Sequence, residues 1–541
     1  MAWSNLGTST RPPVMGARGM VSAAHPLASL AGVRILVAGG NAIDAAVSVA
    51  AALNVAEPYM SGLGGDGYML VHSARDNRLH ALDYVGRSAH AAEPGAYASP
   101  SEREYGPKSA LVPGALGGWL AAHERFGSLP LDQIFAPAIE YAEAGVPVTL
   151  NGAQFIASSV ERLNKAAREV FGGTPPLAGT IIRQPALAAT YRELAAGGAA
   201  AFYGGALGER FIGALRREGG LLSEHDLADF VPEWQEPVGT TYRGYTVRTA
   251  PPPCSGFQYL ETLNLLEGYD LRAAGQGSAA AVHLTVEAMK LAIADRIVYT
   301  MDPDAPLAGL LSKGYAVRRR AEIGPAYVGL AEGERYGGPP GQEFVQAGRP
   351  LPSDMENTTH FDVIDAEGNA VSVTQSIGAF FGSGVMVGDT GIMLNNLGYW
   401  FDGDPTSPNV IGPHKKIEMC MAPAALYGPD GQLFTVIGTP GSFGILQTTA
   451  QMILNVIDHG YSIQAAIEAP RFRLFAGTEL HLEGRFPAET RADLAALGHG
   501  VKTLDDWSWA VGGGQGIMLD PDTGARYGGA DPRRDGAAIA Q

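Results

Sequence analysis

Apolar positions recur in two different registers along this chain: helical three- and four-residue steps over much of the first 300 residues, and alternation after about 357. The clearest helical stripe spans 281–298, where Val282, Val286, Met289, Ile293 and Ile297 repeat on one side. Such a stripe predicts a core-facing helix. Residues 41–56, NAIDAAVSVAAALNVA, are Ala-rich with Asn41 available as an N-cap, and predict a buried helix. Glu57-Pro58 ends it, because proline cannot continue the backbone ladder. The glycines of SGLGGDGYMLVHSA then look superficially like a dinucleotide fingerprint. That motif follows a strand and opens a helix, whereas here the order is helix, glycines, a strand at 67–73 and a turn near Asp76-Asn77. A Rossmann unit is rejected. From about 130 to 300 the pattern is mostly helical.

Residues 334–357, ERYGGPPGQEFVQAGRPLPSDMEN, concentrate Gly, Pro and charge, and predict a mobile stretch or a domain boundary. Beyond them the texture changes. TTHFDVID and AVSVTQS flank the turn AEGN and alternate as a β-hairpin does. Further strands are expected at GVMVG, GIMLNN and LFTVIG, before a helix at about 444–458. No internal repeat or low-complexity tract is visible.

The chain has 541 residues, 46% hydrophobic and 17% charged, which is a globular composition able to bury a large core. Its 72 glycines are about twice the ordinary share, so many tight turns are expected within one large domain. A formal charge of -17 argues against nucleic acid and anionic membrane as partners, since both require basic patches. Two cysteines, Cys254 and Cys420, make neither a disulfide framework nor a Cys-rich metal site. The 12 histidines show no H-E-x-x-H or equivalent spacing, so no metal and no cofactor is expected. The first residues lack the apolar core of a secretory signal, and no run of about 18 apolar residues occurs. The expectation is a cytoplasmic protein.

The hairpin carries the candidate chemistry. If it is symmetric about Glu367, Thr358 and Ser376 lie directly opposite, with Cβ atoms about 4.5–5.5 Å apart. A threonine hydroxyl is a poor nucleophile without a base beside it. A cut between Asn357 and Thr358 supplies that base: the freed α-amine has an ordinary pKa of about 7.7–8.0. Thr358 could make the cut itself, by attack of its hydroxyl on the Asn357 carbonyl. Donors for the oxyanion are offered by LFTVIGTPGSFGILQTTAQMIL, a strand, a glycine turn and a helix. Backbone N–H groups of Gly441 and Ser442 would point outward at that helix N-terminus.

Together these segments resemble the γ-glutamyltransferase (γ-glutamyltranspeptidase) family of N-terminal-nucleophile hydrolases. The likeness runs through GGNAIDAAVSVAAAL, EPYMSGLGGDGYMLV, LVPGALGGWLAAHERFG, AFYGGALGERF, GGLLSEHDLADF, YRGYTVRTAPPPCSGF, NTTHFDVIDAEGNAVSVTQS, FGSGV, GIMLNN, IGTPGS and APRFR. It implies an α/β fold, a four-layer αββα sandwich, with autocleavage into a large chain (1–357) and a small chain (358–541) that stay associated. It implies Thr358 as nucleophile, Ser376 as the hydroxyl that holds it, and Gly441 with Ser442 in place of a Gly-Gly oxyanion turn. The substrate pocket departs from the family pattern. Polar and acidic groups that grip the α-amino group in γ-glutamyl enzymes are replaced by Gly378, Leu397 and Trp400. Paired serines that meet the α-carboxylate correspond to Met419 and Cys420, and the carboxylate-binding arginine is displaced by two positions to Arg87.

The reading is therefore an autoprocessing amidohydrolase or acyltransferase that acts on a small amide substrate through an acyl-enzyme on Thr358. One alternative is a glutathione hydrolase and γ-glutamyl transferase proper. The other is an uncleaved, non-catalytic binding protein on the same fold.

Overall fold

The computed structural model describes residues 9–323, 335–336, 345–346, 357–402, 404–475 and 477–541. The expected mobile stretch 334–357 thus lies largely outside the described residues.

Two seven-stranded antiparallel sheets pack face to face. The first runs Ala537–Ala540, Met20–Ala23, Asn357–Ile364, Ala370–Gly378, Asp66–Ser73, Arg78–Asp83, Glu233–Gln235. The second runs Val14–Gly16, Arg526–Ala530, Gln515–Leu519, Leu433–Gly438, Ala424–Tyr427, Tyr245–Thr249, Val238–Tyr242. Helices Pro26–Val37 and Ala42–Ala56 cover the first sheet; Phe257–Leu266 and Ile463–Glu468 lie on the second, with Gly444–Ile457. This is the expected αββα sandwich. Covered on both faces, a central strand such as Ala370–Gly378 is buried at every position.

The helix expected at 41–56 forms as Ala42–Ala56. Asn41 Oδ1 accepts from the amides of Ile43 and Asp44, and the Asp44 carboxylate accepts in return from the Asn41 amide. Its alanines face neighbours on nearly every side, which is why the helix shows almost no polar face. The 281–298 stripe forms as Ala279–Tyr299, capped by Ser278. The order helix, glycine loop, strand Asp66–Ser73 is the one that ruled out a dinucleotide fold.

Two expected strands are corrected. GVMVG and GIMLNN enter neither sheet; they form a tight loop held by an isolated Met386↔Met393 bridge. Gly384, Gly388 and Gly391, all at positive φ, bend a chain whose apolar run alone reads like a strand. The region 130–300 is mostly helical, as expected, and also contributes the strands Glu233–Gln235, Val238–Tyr242 and Tyr245–Thr249, which reach both sheets. Each sheet mixes strands from before and after position 358, so either segment alone would lose its neighbours.

Candidate functional site

The hairpin adopts the register symmetric about Glu367 over most of its length, from Ile364↔Ala370 to Thr359↔Gln375. At its open end the register shifts, and the next pair is Asn357↔Gly378. Thr358 therefore faces a bulge in which Ser376 and Ile377 together oppose one residue, correcting the expected one-to-one pairing of Thr358 with Ser376. A bulge of this kind re-aims a side chain out of the ladder. On its other side Ser376 pairs with Asp66, and its Oγ accepts from the Gly378 amide at 2.8 Å.

Thr358 and Ser376 line a pocket of about 240 Å3 with Gly378, Leu397, Tyr399, Trp400, Met419, Cys420, Met421 and Ser442. Four segments distant in sequence meet here: the hairpin end, the turn Leu397–Trp400, the stretch 419–421 and the turn before helix Gly444–Ile457. Met419 is held from behind, donating to Pro253 O and accepting from the Ser255 amide. Every sequence-singled residue of the substrate wall except Arg87 faces this one pocket. No charged side chain lines it among the described residues. Two buried polar atoms of its wall, Trp400 Nε1 and Ser442 Oγ, have no partner among the described residues.

Gly441 and Ser442 both sit at positive φ, +128° and +54°, in the turn that joins strand Leu433–Gly438 to the helix. Their carbonyls accept from the amides of Gly444 and Ile445 at the start of the helix. Asn357 precedes Thr358 in the same strand, so the proposed cleavage bond lies at the open end of the hairpin.

Arg87 is not brought to this pocket. It lies in a second one of about 610 Å3, with Asp83, Asp226, Glu233, His414 and Lys416 among its neighbours, and is 3.5 Å from Glu233. It follows strand Arg78–Asp83, which pairs with the edge strand Glu233–Gln235. His360 is fully buried between the sheets, bonded to Thr374 Oγ1 at 2.8 Å and Asp362 at 3.1 Å. Its ring touches Gly438, where a Cβ would come within 2.4 Å of the imidazole, so glycine is required there.

Two residues around Thr358 escaped the sequence reading. Arg534 donates to the Thr358 carbonyl oxygen, and Thr359 Oγ1 donates to Glu57 Oε2. Burial, reinforced by Asp535, pushes the Glu57 carboxyl up to about 7, against the pull of Arg534 and Thr359. Arg534 lies 176 positions from Thr358 and Glu57 farther still, in only loosely patterned sequence; the EP pair that ends a helix is the sole visible signal for Glu57.

Residues 28–541 match the family described as Gamma-glutamyltranspeptidase. The chain belongs to the γ-glutamyltranspeptidase family. It is 39% identical to the Acylase ACY 1 proenzyme of Pseudomonas sp. (strain V22), over 98% of this chain and 95% of that one. It is 35% identical to the Glutathione hydrolase proenzyme of Bacillus subtilis (strain 168), over 97% and 92% of the two chains. Its fold is similar to the crystal structure of cephalosporin acylase from Bacillus halodurans, with TM-score 0.88, 34% identity and coverage of 99% and 98%. Within this γ-glutamyltranspeptidase family the chain is an amidohydrolase. No helix among the described residues is long and apolar enough to cross a membrane.

Proposed function

We propose that this family member matures by cleavage at the Asn357–Thr358 bond and then uses Thr358 as an N-terminal nucleophile on acyl amides other than γ-glutamyl ones. The Thr358 hydroxyl attacks the substrate carbonyl while the freed α-amine takes its proton. Backbone N–H groups of Gly441 and Ser442 receive the oxyanion, and Ser376 steadies the hydroxyl. The amide C–N bond breaks, the proton passes to the leaving amine, and an ester on Thr358 remains. Water or an acceptor amine then attacks that ester and regenerates the hydroxyl. Strands from both products interleave in each sheet, so the two chains remain one body after the cut.

The observation that carries the specificity is the pocket wall. A γ-glutamyl group brings an ammonium and a carboxylate, each expensive to bury without a charged or multiply hydrogen-bonded partner. Leu397, Trp400, Met419, Cys420 and Met421 offer neither. The unpartnered Trp400 Nε1 offers instead a single donor to a neutral or singly polar acyl group. The acylase names among its relatives agree with such a substrate.

The test is a substrate series on the matured protein, with γ-glutamyl, glutaryl and simple acyl anilides compared by kcat/KM. Preference for acyl groups without an α-ammonium supports the proposal, and a strong γ-glutamyl preference makes the protein a glutathione hydrolase instead. Denaturing electrophoresis of wild type and Thr358→Ala tests the cut. Two bands that become one in the variant support it, whereas persistent full-length wild type would leave an uncleaved binding protein.

A further inference from the structure

Outside the Thr358 pocket, three imidazoles from three separate segments stack in a column. His90 lies between His225 and His414, with ring centroids 4.6 and 4.3 Å away and interplanar angles of 11° and 22°. One edge of His90 is fixed from inside the protein: its Nδ1 is 2.7 Å from Oδ1 of Asp226, a buried carboxylate. That carboxylate also accepts from the His90 amide, and from the amide and hydroxyl of Ser223. With an acceptor at that edge, Nδ1 carries a hydrogen, and Nε2 is the ring nitrogen directed outward.

What Nε2 faces is Asp229. Its Oδ2 is 3.5 Å away, and its Oδ1 is 3.4 Å from Nδ1 of His225, one helical turn earlier. Both separations are too long for good hydrogen bonds. Each matches the edge of a tetrahedron, since two ligands about 2.0–2.1 Å from one zinc ion stand roughly 3.3 Å apart. Because a shared ion must lie in both ring planes, the exposed His225 has to turn out of its stack on His90 to bind it. The ligand atoms of His90, His225 and Asp229 all lie within 4.8 Å of one another, and all three side chains are exposed to arriving ions.

We propose that His90, His225 and Asp229 form a binding site for a single divalent cation of the zinc class, with Asp226 orienting His90 from the second layer. Two imidazoles and a carboxylate suit zinc or its neighbours far better than magnesium or calcium. The carboxylate–histidine–metal arrangement is the usual way a ligating imidazole is fixed in tautomer and direction. Three protein ligands leave a fourth position for water or an anion, and the large pocket holding Arg87 and Lys416 adjoins it through Asp226, Asp229 and His414. The bound ion would tie the turn around residue 90 to helix Glu224–Ala228. His90 and His225 are separated by 135 positions, so ligand spacing in the sequence gives no sign of the site.

The test is calorimetric titration of zinc chloride into the chelator-treated full protein, paralleled by the visible absorption of added cobalt. One saturable ion per chain is expected, weakened at least tenfold by His90→Ala or Asp229→Asn. Asp226→Asn, which removes no ligand, should weaken it about 10- to 100-fold. His499→Ala, in the separate buried cluster with His283 and Glu287, should leave binding intact. If His90→Ala fails to fold by circular dichroism, His225→Gln at the exposed position decides. Absence of saturable uptake at about 100 μM zinc, or uptake that survives His225→Gln, would overturn the proposal.

Discussion

Arg534 donates from Nη1 to the carbonyl oxygen of Thr358 at 3.2 Å, with both residues buried. The bond fixes the main chain of Thr358 through its carbonyl and leaves the hydroxyl to the chemistry. Burial pulls the guanidinium below its usual range, opposed in part by Glu57, Asp531, Tyr59 and Asp535. Arg534→Ala should therefore lower stability by about 1–3 kcal/mol, because it leaves the buried Thr358 carbonyl without its donor and removes the cation that favours ionised Glu57. It should also slow cleavage before Thr358 in the fraction that folds. Denaturant unfolding reads the first effect and band intensities over time the second. Arg534→Lys should recover part of the stability but less of the cleavage rate, since an ammonium cannot copy the guanidinium fork. Cleavage at the normal rate in folded Arg534→Ala would reduce Arg534 to a purely structural residue.

Glu57 makes the same region sensitive to pH. Its carboxyl ionises near 4.5 when unfolded and near 7 when folded, because burial disfavours the charge. The native state then holds a proton that the unfolded chain has released. Its contribution is complete below pH 4.5 and fades as pH rises through 7, amounting to about 3 kcal/mol across that window. Unfolding midpoints in denaturant at pH 5, 6, 7 and 8 should fall for wild type. The Glu57→Gln variant, which cannot ionise, should show a flatter profile. Equal slopes for the two proteins would assign the pH dependence to other groups.

The parts of this molecule legible in the sequence were those whose cause is local. Asn41 announced a capped helix, the AEGN turn fixed a hairpin register, and GTPGS joined a strand to a helix. Motif likeness then carried the αββα architecture, which no local periodicity contains. Contacts closed only by the fold stayed hidden. The bulge at Thr358 arises at the end of the hairpin remote from its turn, where only tertiary neighbours act on register. Arg87 was matched by sequence offset alone, and a two-residue displacement beside a sheet edge carried it to another pocket. Arg534 meets Thr358 across 176 positions, which no spacing rule spans.

Gly378 explains why the pocket cannot simply regain a polar side chain there. Its φ is +96°, and a Cβ would stand 2.0 Å from Asn396 Oδ1. That oxygen is already committed to the Ala379 amide, and Asn396 Nδ2 to the Glu104 carbonyl. The neighbour has no easy way to retreat. Gly378→Ala should destabilise the protein by about 2 kcal/mol or more, through backbone strain and overpacking together. Thermal unfolding measures it. A neutral effect would mean that Asn396 moves freely, and that polar replacements at 378 are open routes to a γ-glutamyl pocket.

Ser442 separates a backbone role from a side-chain one. It occupies the left-handed region at φ +54°, where a non-glycine residue is strained by about 1–2 kcal/mol. Its hydroxyl has no partner among the described residues, so removing it breaks no bond there. Ser442→Gly should leave stability equal or higher by up to about 1 kcal/mol, and kcat within a few-fold, because the amide donor survives. Ser442→Pro deletes that donor and demands a φ near −65°, and should lower kcat by about 10²–10³ in whatever fraction folds. Thermal unfolding and single-turnover acylation of both variants check the pair. A comparable loss in Ser442→Gly would transfer the oxyanion contact from the amide to the hydroxyl, and the turn would then depend on serine where glycine had seemed sufficient.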